Sequence, residues 1–149
     1  MIKQQYDDGK KHIHVLSYGG GTQSTAMLIM ALEGEINGVV PDYIIFSDTG
    51  WEPQNIYDWT EKVNNYIKEK YNREIIYTNG GNIRTDLIRA ATEGTRVASL
   101  PFFTLDEDGK KGMVMRQCTG YYKINPVKRK VRDLLGYKPG QRVKEVVHM

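Results

Sequence analysis

The 149-residue sequence predicts an α/β fold, a mainly parallel twisted sheet with helices on both faces. Three observations carry that expectation. Short β-rich runs alternate with helix-periodic runs in the order strand, helix, strand, helix, strand, helix, which favours right-handed crossovers between parallel strands. Clusters of Gly, Pro, Asn and Asp punctuate the joins. The two most unusual loops, residues 17–23 and 48–52, each follow a strand, and in an open parallel sheet that places them at the carboxyl edge where ligands bind.

Residues 1–11 are polar and read as a flexible N-terminal arm, with 12–149 as one domain. Ile13, Val15 and Leu16 mark the first strand. Gly19, Gly20 and Gly21 follow as a loop, and a helix runs from about Ser24 to Glu35. Its residues 26–32 are apolar on every side, so burial is expected, and Gly34 and Gly38 end it. Residues 43–47 are a second strand between Pro41-Asp42 and Gly50. Pro53 suits the first turn of the next helix, where Ile56, Trp59, Val63, Tyr66 and Ile67 recur at helical spacing. Residues 75–77 are a third strand, Asn79-Gly80-Gly81 turns the chain, and Asn82 caps a helix over 83–92. Asp108-Gly109 closes a hairpin between 102–105 and 113–115. Asn125 and Pro126 read as the cap and first turn of a helix with Val127, Val131, Leu134 and Leu135 as its stripe, ended by Gly136. Val143, Val146 and Val147 begin another strand.

Composition narrows the function classes. A single cysteine, Cys118, excludes an intramolecular disulfide and any iron–sulfur or four-cysteine zinc site made by this chain alone. His12 and His14 point the same way along their strand, but only His148 and Cys118 lie elsewhere, so no zinc is expected. The longest apolar run, 26–32, is far short of a membrane span, and the polar start carries no signal-peptide core; the expectation is a cytoplasmic protein without membrane contact. The net charge of +3 hides an asymmetry: residues 1–82 hold 7 basic and 11 acidic side chains, and residues 83–149 hold 14 and 7. Residues 116–144 contain 9 basic side chains and one acid, Asp133, a field of one sign that suits an anionic partner such as tRNA or DNA.

The loop Ser17-Tyr18-Gly19-Gly20-Gly21-Thr22-Gln23-Ser24-Thr25 is the most informative segment. Glycines remove the Cβ atoms that block close approach to the backbone, and free N–H groups at the helix start favour an anion. Ser17, Thr22, Ser24 and Thr25 add hydroxyls, so phosphate binding is the natural function; a turn that only reverses the chain is the alternative. A Walker loop needs a lysine, and none occurs between Lys11 and Lys62. A dinucleotide fingerprint needs a third glycine where Ser24 stands, although Asp48 could imitate its ribose-binding acid, so a Rossmann-like binder stays open as a rival.

The loop resembles the pyrophosphate loop of the adenine-nucleotide alpha-hydrolase-like (PP-loop ATP pyrophosphatase) superfamily, in the variant of phosphoadenosine phosphosulfate reductase-like proteins. Phe46-Ser47-Asp48-Thr49-Gly50-Trp51-Glu52-Pro53 is similar to that family's second-strand motif. Arg116-Gln117-Cys118-Thr119 and Tyr122-Lys123-Ile124-Asn125-Pro126-Val127-Lys128-Arg129 resemble its basic segment. The resemblance runs over 15–136 and implies an adenine nucleotide, ATP or a relative, with Mg²⁺ as counter-ion and chemistry between the α and β phosphates. By that analogy Ser17, Gly19, Gly20, Gly21, Thr22, Gln23, Ser24, Thr25, Asp48 and Arg129 would contact the nucleotide. Asp48, Arg116 and Lys123 would be catalytic, and Asp48 and Glu52 are the candidate metal ligands. Two departures stand out. Gln23 occupies the place of an aspartate in many members, and it cannot neutralise a metal. The reductases' C-terminal cysteine motif has no counterpart, which argues against sulfonucleotide reduction by this chain alone. Relative to the family the chain is expected to be C-terminally incomplete, and an apolar strand edge left unpaired would invite a homodimer.

Overall fold

The computed structural model describes residues 6–100, 102–113 and 115–149. Within them, six strands and four α-helices follow in order: β1 (His12–Tyr18), α1 (Thr22–Leu32), β2 (Tyr43–Asp48), α2 (Gln54–Tyr71), β3 (Ile75–Asn79), α3 (Ile83–Glu93), β4 (Phe103–Leu105), β5 (Lys111–Met113), α4 (Asn125–Leu134) and β6 (Val146–His148). A π-helix, Thr119–Ile124, leads into α4. Four strands form one sheet in the order β3-β2-β1-β6, and every pairing in it is parallel. The hairpin β4–β5 is a separate antiparallel pair with Phe103 opposite Met113. The described part of the expected arm reaches the sheet: the Tyr6 ring stacks on His12 at 3.7 Å between centroids. Residues 1–5 of that arm, and Val114 of the expected hairpin strand, lie outside the described residues.

Alternation along the strands divides the core into two layers. Leu16 and Tyr18 of β1 join Ile44 and Phe46 of β2 against Leu28 and Ala31 of α1 and Val63 and Ile67 of α2. Ile13 and Val15 face the other way, with Ile45, against Val127 and Val131 of α4. Helices therefore cover both faces, as the alternation predicts. Each fully buried aliphatic side chain contributes about 1.5–3 kcal/mol relative to exposure, so neither layer is dispensable. Strand order reverses at β1, since β2 and β3 build to one side and β6 to the other, and a reversal of this kind opens the crevice in which ligands of such sheets sit.

Three local expectations change. Helix α1 is not buried all round: Met27 and Met30 are 47% and 44% exposed, because α1 lies on the sheet by one side and only Leu28 and Ala31 of it are buried. An all-apolar run carries no sign of which side lacks a neighbour. Asn125 is not a cap; its φ and ψ of −65° and −41° are helical, and the chain passes from the π-helix into α4 without a break. Trp59 and Tyr66, placed on the apolar stripe of α2 by spacing, are 44% and 45% exposed.

Candidate functional site

The glycine loop joins β1 to α1 at the carboxyl edge. Gly20 is the position that requires glycine. Its φ is +75°, and a Cβ there would lie 2.7 Å from Ile56 Cγ2. The loop is thereby pressed onto α2. The amides of Thr22, Gln23 and Ser24 precede the first helical hydrogen bond, Thr25 N to Gly21 O at 3.0 Å, so they have no acceptor within the helix. The first turn of α1 carries no acidic residue. With Gln23 in place of an aspartate, nothing there offsets the positive end of the helix dipole.

The loop hydroxyls divide by role. Ser24 Oγ accepts from Gly21 N at 3.1 Å and donates to Gly21 O at 2.9 Å, closing the turn on itself. Thr25 Oγ1 donates to Gly21 O at 3.0 Å and accepts from Trp59 Nε1 at 3.0 Å, with the Tyr18 hydroxyl 2.9 Å away. Burial, opposed by hydrogen bonds to Thr25 and its neighbours, raises the Tyr18 pKa, so that hydroxyl stays protonated as a donor. Ser17 and Thr22 are exposed, and their hydroxyls make no side-chain hydrogen bond among the described residues. The sequence ranks the four hydroxyls alike; the structure uses Ser24 and Thr25 to shape the loop and leaves Ser17 and Thr22 facing solvent.

The second loop is held at both ends. Asp48 Oδ1 accepts from Gly50 N at 2.7 Å and from the Tyr57 hydroxyl at 2.8 Å. Burial first, and the Asp48 carboxylate after it, raise the Tyr57 pKa and keep that donor protonated. Gly50 has φ +72°, and a Cβ on it would lie 2.7 Å from Asn82 Nδ2. Asn82 serves two elements at once. Its Nδ2 donates to Gly50 O at 2.8 Å, while its Oδ1 accepts from Thr85 N at 2.9 Å to cap α3. Asn82 as a cap is legible from the sequence; its bond to Gly50, 32 residues away, is not, and Tyr57 carries no sequence signal at all.

Glu52 accepts from Thr49 Oγ1 at 3.0 Å and pairs with Lys123 Nζ at 3.2 Å, bringing the basic segment against the second loop. Thr49, Trp51, Glu52, Arg116, Cys118 and Lys123 line one cavity of about 270 Å³. Trp51 is 55% exposed at this cavity, with the Arg84 guanidinium 6.0 Å from its ring centre. Cys118 is buried. Arg129 stands exposed on α4 and makes no hydrogen bond or ion pair to either loop among the described residues.

The rest of the basic segment disperses. Arg132 donates to the carbonyl oxygens of Lys138 at 3.2 Å and Gln141 at 2.6 Å, tying down the chain after α4. Among the described residues no group of three or more His, Cys, Asp or Glu side chains is arranged to hold a metal ion. Asp48 Oδ1 and Glu52 Oε1 are each engaged as above.

Among the described residues no helix is long and apolar enough to cross a membrane. No curated protein and no solved structure matches the chain significantly. The family model for the phosphoadenosine phosphosulfate reductase domain matches residues 13–145, nearly the whole chain. That match spans the glycine loop, the Asp48-Thr49-Gly50 turn and the Arg116–Lys123 segment. The chain belongs to the phosphoadenosine phosphosulfate reductase domain family, within the nucleotide-binding PP-loop ATP pyrophosphatase superfamily.

Proposed function

We propose that the chain binds ATP, or a close adenine-nucleotide relative, with its β and γ phosphates on the glycine loop, and supports nucleotidyl transfer at the α phosphorus. The observation that carries this is the set of first-turn amides without intrahelical acceptors on a loop fixed by Gly20. An acceptor nucleophile attacks the α phosphorus, the bond from that phosphorus to the bridging oxygen breaks, and pyrophosphate departs with the bonding electrons. The amides and the dipole of α1 stabilise the negative charge that develops on the leaving pyrophosphate. Ser17 and Thr22 add hydroxyl donors. Lys123 and Arg116 stand beside the second loop as charges for the α-phosphate side, and Trp51 offers an exposed ring for the base. Asp48 acts as a positioning residue, holding Gly50 and Tyr57. A Mg²⁺ ion would be carried by the phosphates, with Asp48 and Glu52 the carboxylates that would hold it on the protein side.

Product analysis tests the proposal. Incubation with ATP and candidate acceptors should yield AMP or an adenylylated acceptor together with pyrophosphate; ADP and orthophosphate would overturn it. Thr22→Ala combined with Ser17→Ala should weaken ATP binding about a hundredfold or more, since each lost hydrogen bond to a charged group is worth roughly 1.5–3 kcal/mol. Unchanged ATP affinity would place the phosphates elsewhere.

A further inference from the structure

A second cavity, of about 660 Å³, opens between α3, the segment after it and the start of the π-helix. Its walls carry three guanidinium groups, Arg89, Arg96 and Arg116, against one carboxylate, Asp86. Asp86 is already committed: Oδ1 takes Arg89 at 3.0 Å and Oδ2 accepts from the Tyr122 hydroxyl at 2.8 Å. Arg96 and Arg116 have no acidic partner among the described residues. The lining therefore holds an excess of two positive charges.

These arginines do not share one helix face, as a solvated charge run would. They come from three separate stretches, and the walls that bring them together are tied. Gln117 N and Cys118 N both donate to Ser99 O, at 2.9 and 3.2 Å, which fastens the Arg116 strand of chain to the segment bearing Arg96. Gly80 allows the π-helix to close on the end of β3, since a Cβ there would lie 2.6 Å from Pro126 Cγ and 3.0 Å from Tyr121 O. Tyr121 stands at the cavity with 53% of its surface exposed, braced edge-on by Tyr122 at 4.9 Å. Asn125 adds a side-chain amide to the lining.

We propose that this cavity is a second ligand site, which binds the phosphomonoester of a nucleotide-sized molecule. The arginines would fork onto the phosphate and Tyr121 would stack on the base. The volume lies within the range of small-molecule sites and exceeds what a lone phosphate fills. Arg116 lines both this cavity and the one beside Glu52 and Lys123, so the second ligand stands next to the nucleotide proposed above. The site itself rests on its own geometry and does not require the glycine loop to act on ATP. The same phosphomonoester could arrive on a free mononucleotide or on the 5′-phosphorylated end of a nucleic-acid strand.

Calorimetric titration with cytidine monophosphate, cytidine and a 5′-phosphorylated oligonucleotide tests it on the full chain. Cytidine monophosphate should bind, and cytidine about tenfold or more weaker, because loss of a forked charge-assisted contact exceeds about 1.4 kcal/mol. R96A should weaken cytidine monophosphate by a similar factor and R96K by less, with ATP affinity retained in both. The paired loop variant S17A/T22A should leave cytidine monophosphate binding unchanged. Loss of ATP binding there bears on the loop alone, whereas loss of cytidine monophosphate binding in R96A bears on this cavity alone. Tighter binding of the phosphorylated oligonucleotide than of the mononucleotide assigns the phosphate to a strand end, and the reverse order assigns it to a free nucleotide. Equal affinity for cytidine and its phosphate, no binding of either, or unchanged binding by R96A overturns the proposal.

Discussion

At the residue scale, the glycine loop separates positions that look equivalent in the sequence. Gly19, Gly20 and Gly21 all read as phosphate-loop glycines, yet only Gly20 combines a φ of +75° with a blocked Cβ, while a Cβ on Gly21 would meet nothing within 4 Å. Gly20→Ala should cost about 1–3 kcal/mol from backbone strain and the clash with Ile56, whereas Gly21→Ala should fold within about 0.5 kcal/mol of the parent. Urea denaturation of the two variants checks this, and equal losses would show that the loop is not pinned through Gly20. Ser24→Ala removes the hydroxyl that closes Gly21 on itself. It should lower stability by about 1 kcal/mol in the manner of a lost helix cap, before any effect on nucleotide is considered. The four hydroxyls could not be told apart beforehand because their roles depend on Trp59 and Tyr18, which reach Thr25 only in the folded chain.

At the element scale, what was legible followed from local chemistry. The strand–helix alternation, the cap at Asn82 and the turn at Asp108-Gly109 each depend on a few neighbouring residues, and each appears where the sequence puts it. The π-helix was not legible, since nothing in Thr119–Ile124 distinguishes it from the α-helix it enters. Nor were the ties between elements, because Lys123 with Glu52 and Asn82 with Gly50 are set by the packing of distant segments. Those ties matter for the site. Asn82→Ala would free the end of α3 and release Gly50 O together, so it should cost more than an ordinary cap, about 2 kcal/mol, and loosen the second loop. Asn82→Asp keeps the cap acceptor but loses the donor to Gly50. It should restore protection of the Thr85 amide from hydrogen exchange and leave the Gly50 region unprotected. Full recovery at both places in Asn82→Asp would show that the second bond contributes nothing.

At the scale of the whole molecule, the sheet depends on how β6 is held, because it pairs with β1 through only three register positions, His12 with Val146, Ile13 with Val147 and His14 with His148. All three histidines of the chain meet there. His12 Nδ1 and His148 Nε2 lie 2.8 Å apart, so one must donate and the other accept, and His14 stacks on His148 at 4.7 Å. His12 Nε2 lies 2.9 Å from Asp8 Oδ1, and Tyr6 covers His12 from outside. The His14 pKa is lowered from the ordinary histidine value, first by burial, then by His148 and His12, with Asp42 opposing. The sign follows from the binding of protons. Below about pH 6.5 the unfolded chain takes up a proton that folded His14 resists. The stabilisation is therefore complete above the unfolded value and is lost as pH falls through the depressed folded one. Opening should be local, since β6 is short and at the edge of the sheet, so the protection factors of the 146–148 amides should fall between pH 7 and pH 5 while those of β2 hold. His14→Phe keeps the stacked ring and removes the charge, and the backbone bond from His14 N to Asp42 at 2.7 Å does not need the imidazole. That variant should flatten the pH dependence of β6 protection. A decline of equal size in the variant and the parent would remove His14 as its origin.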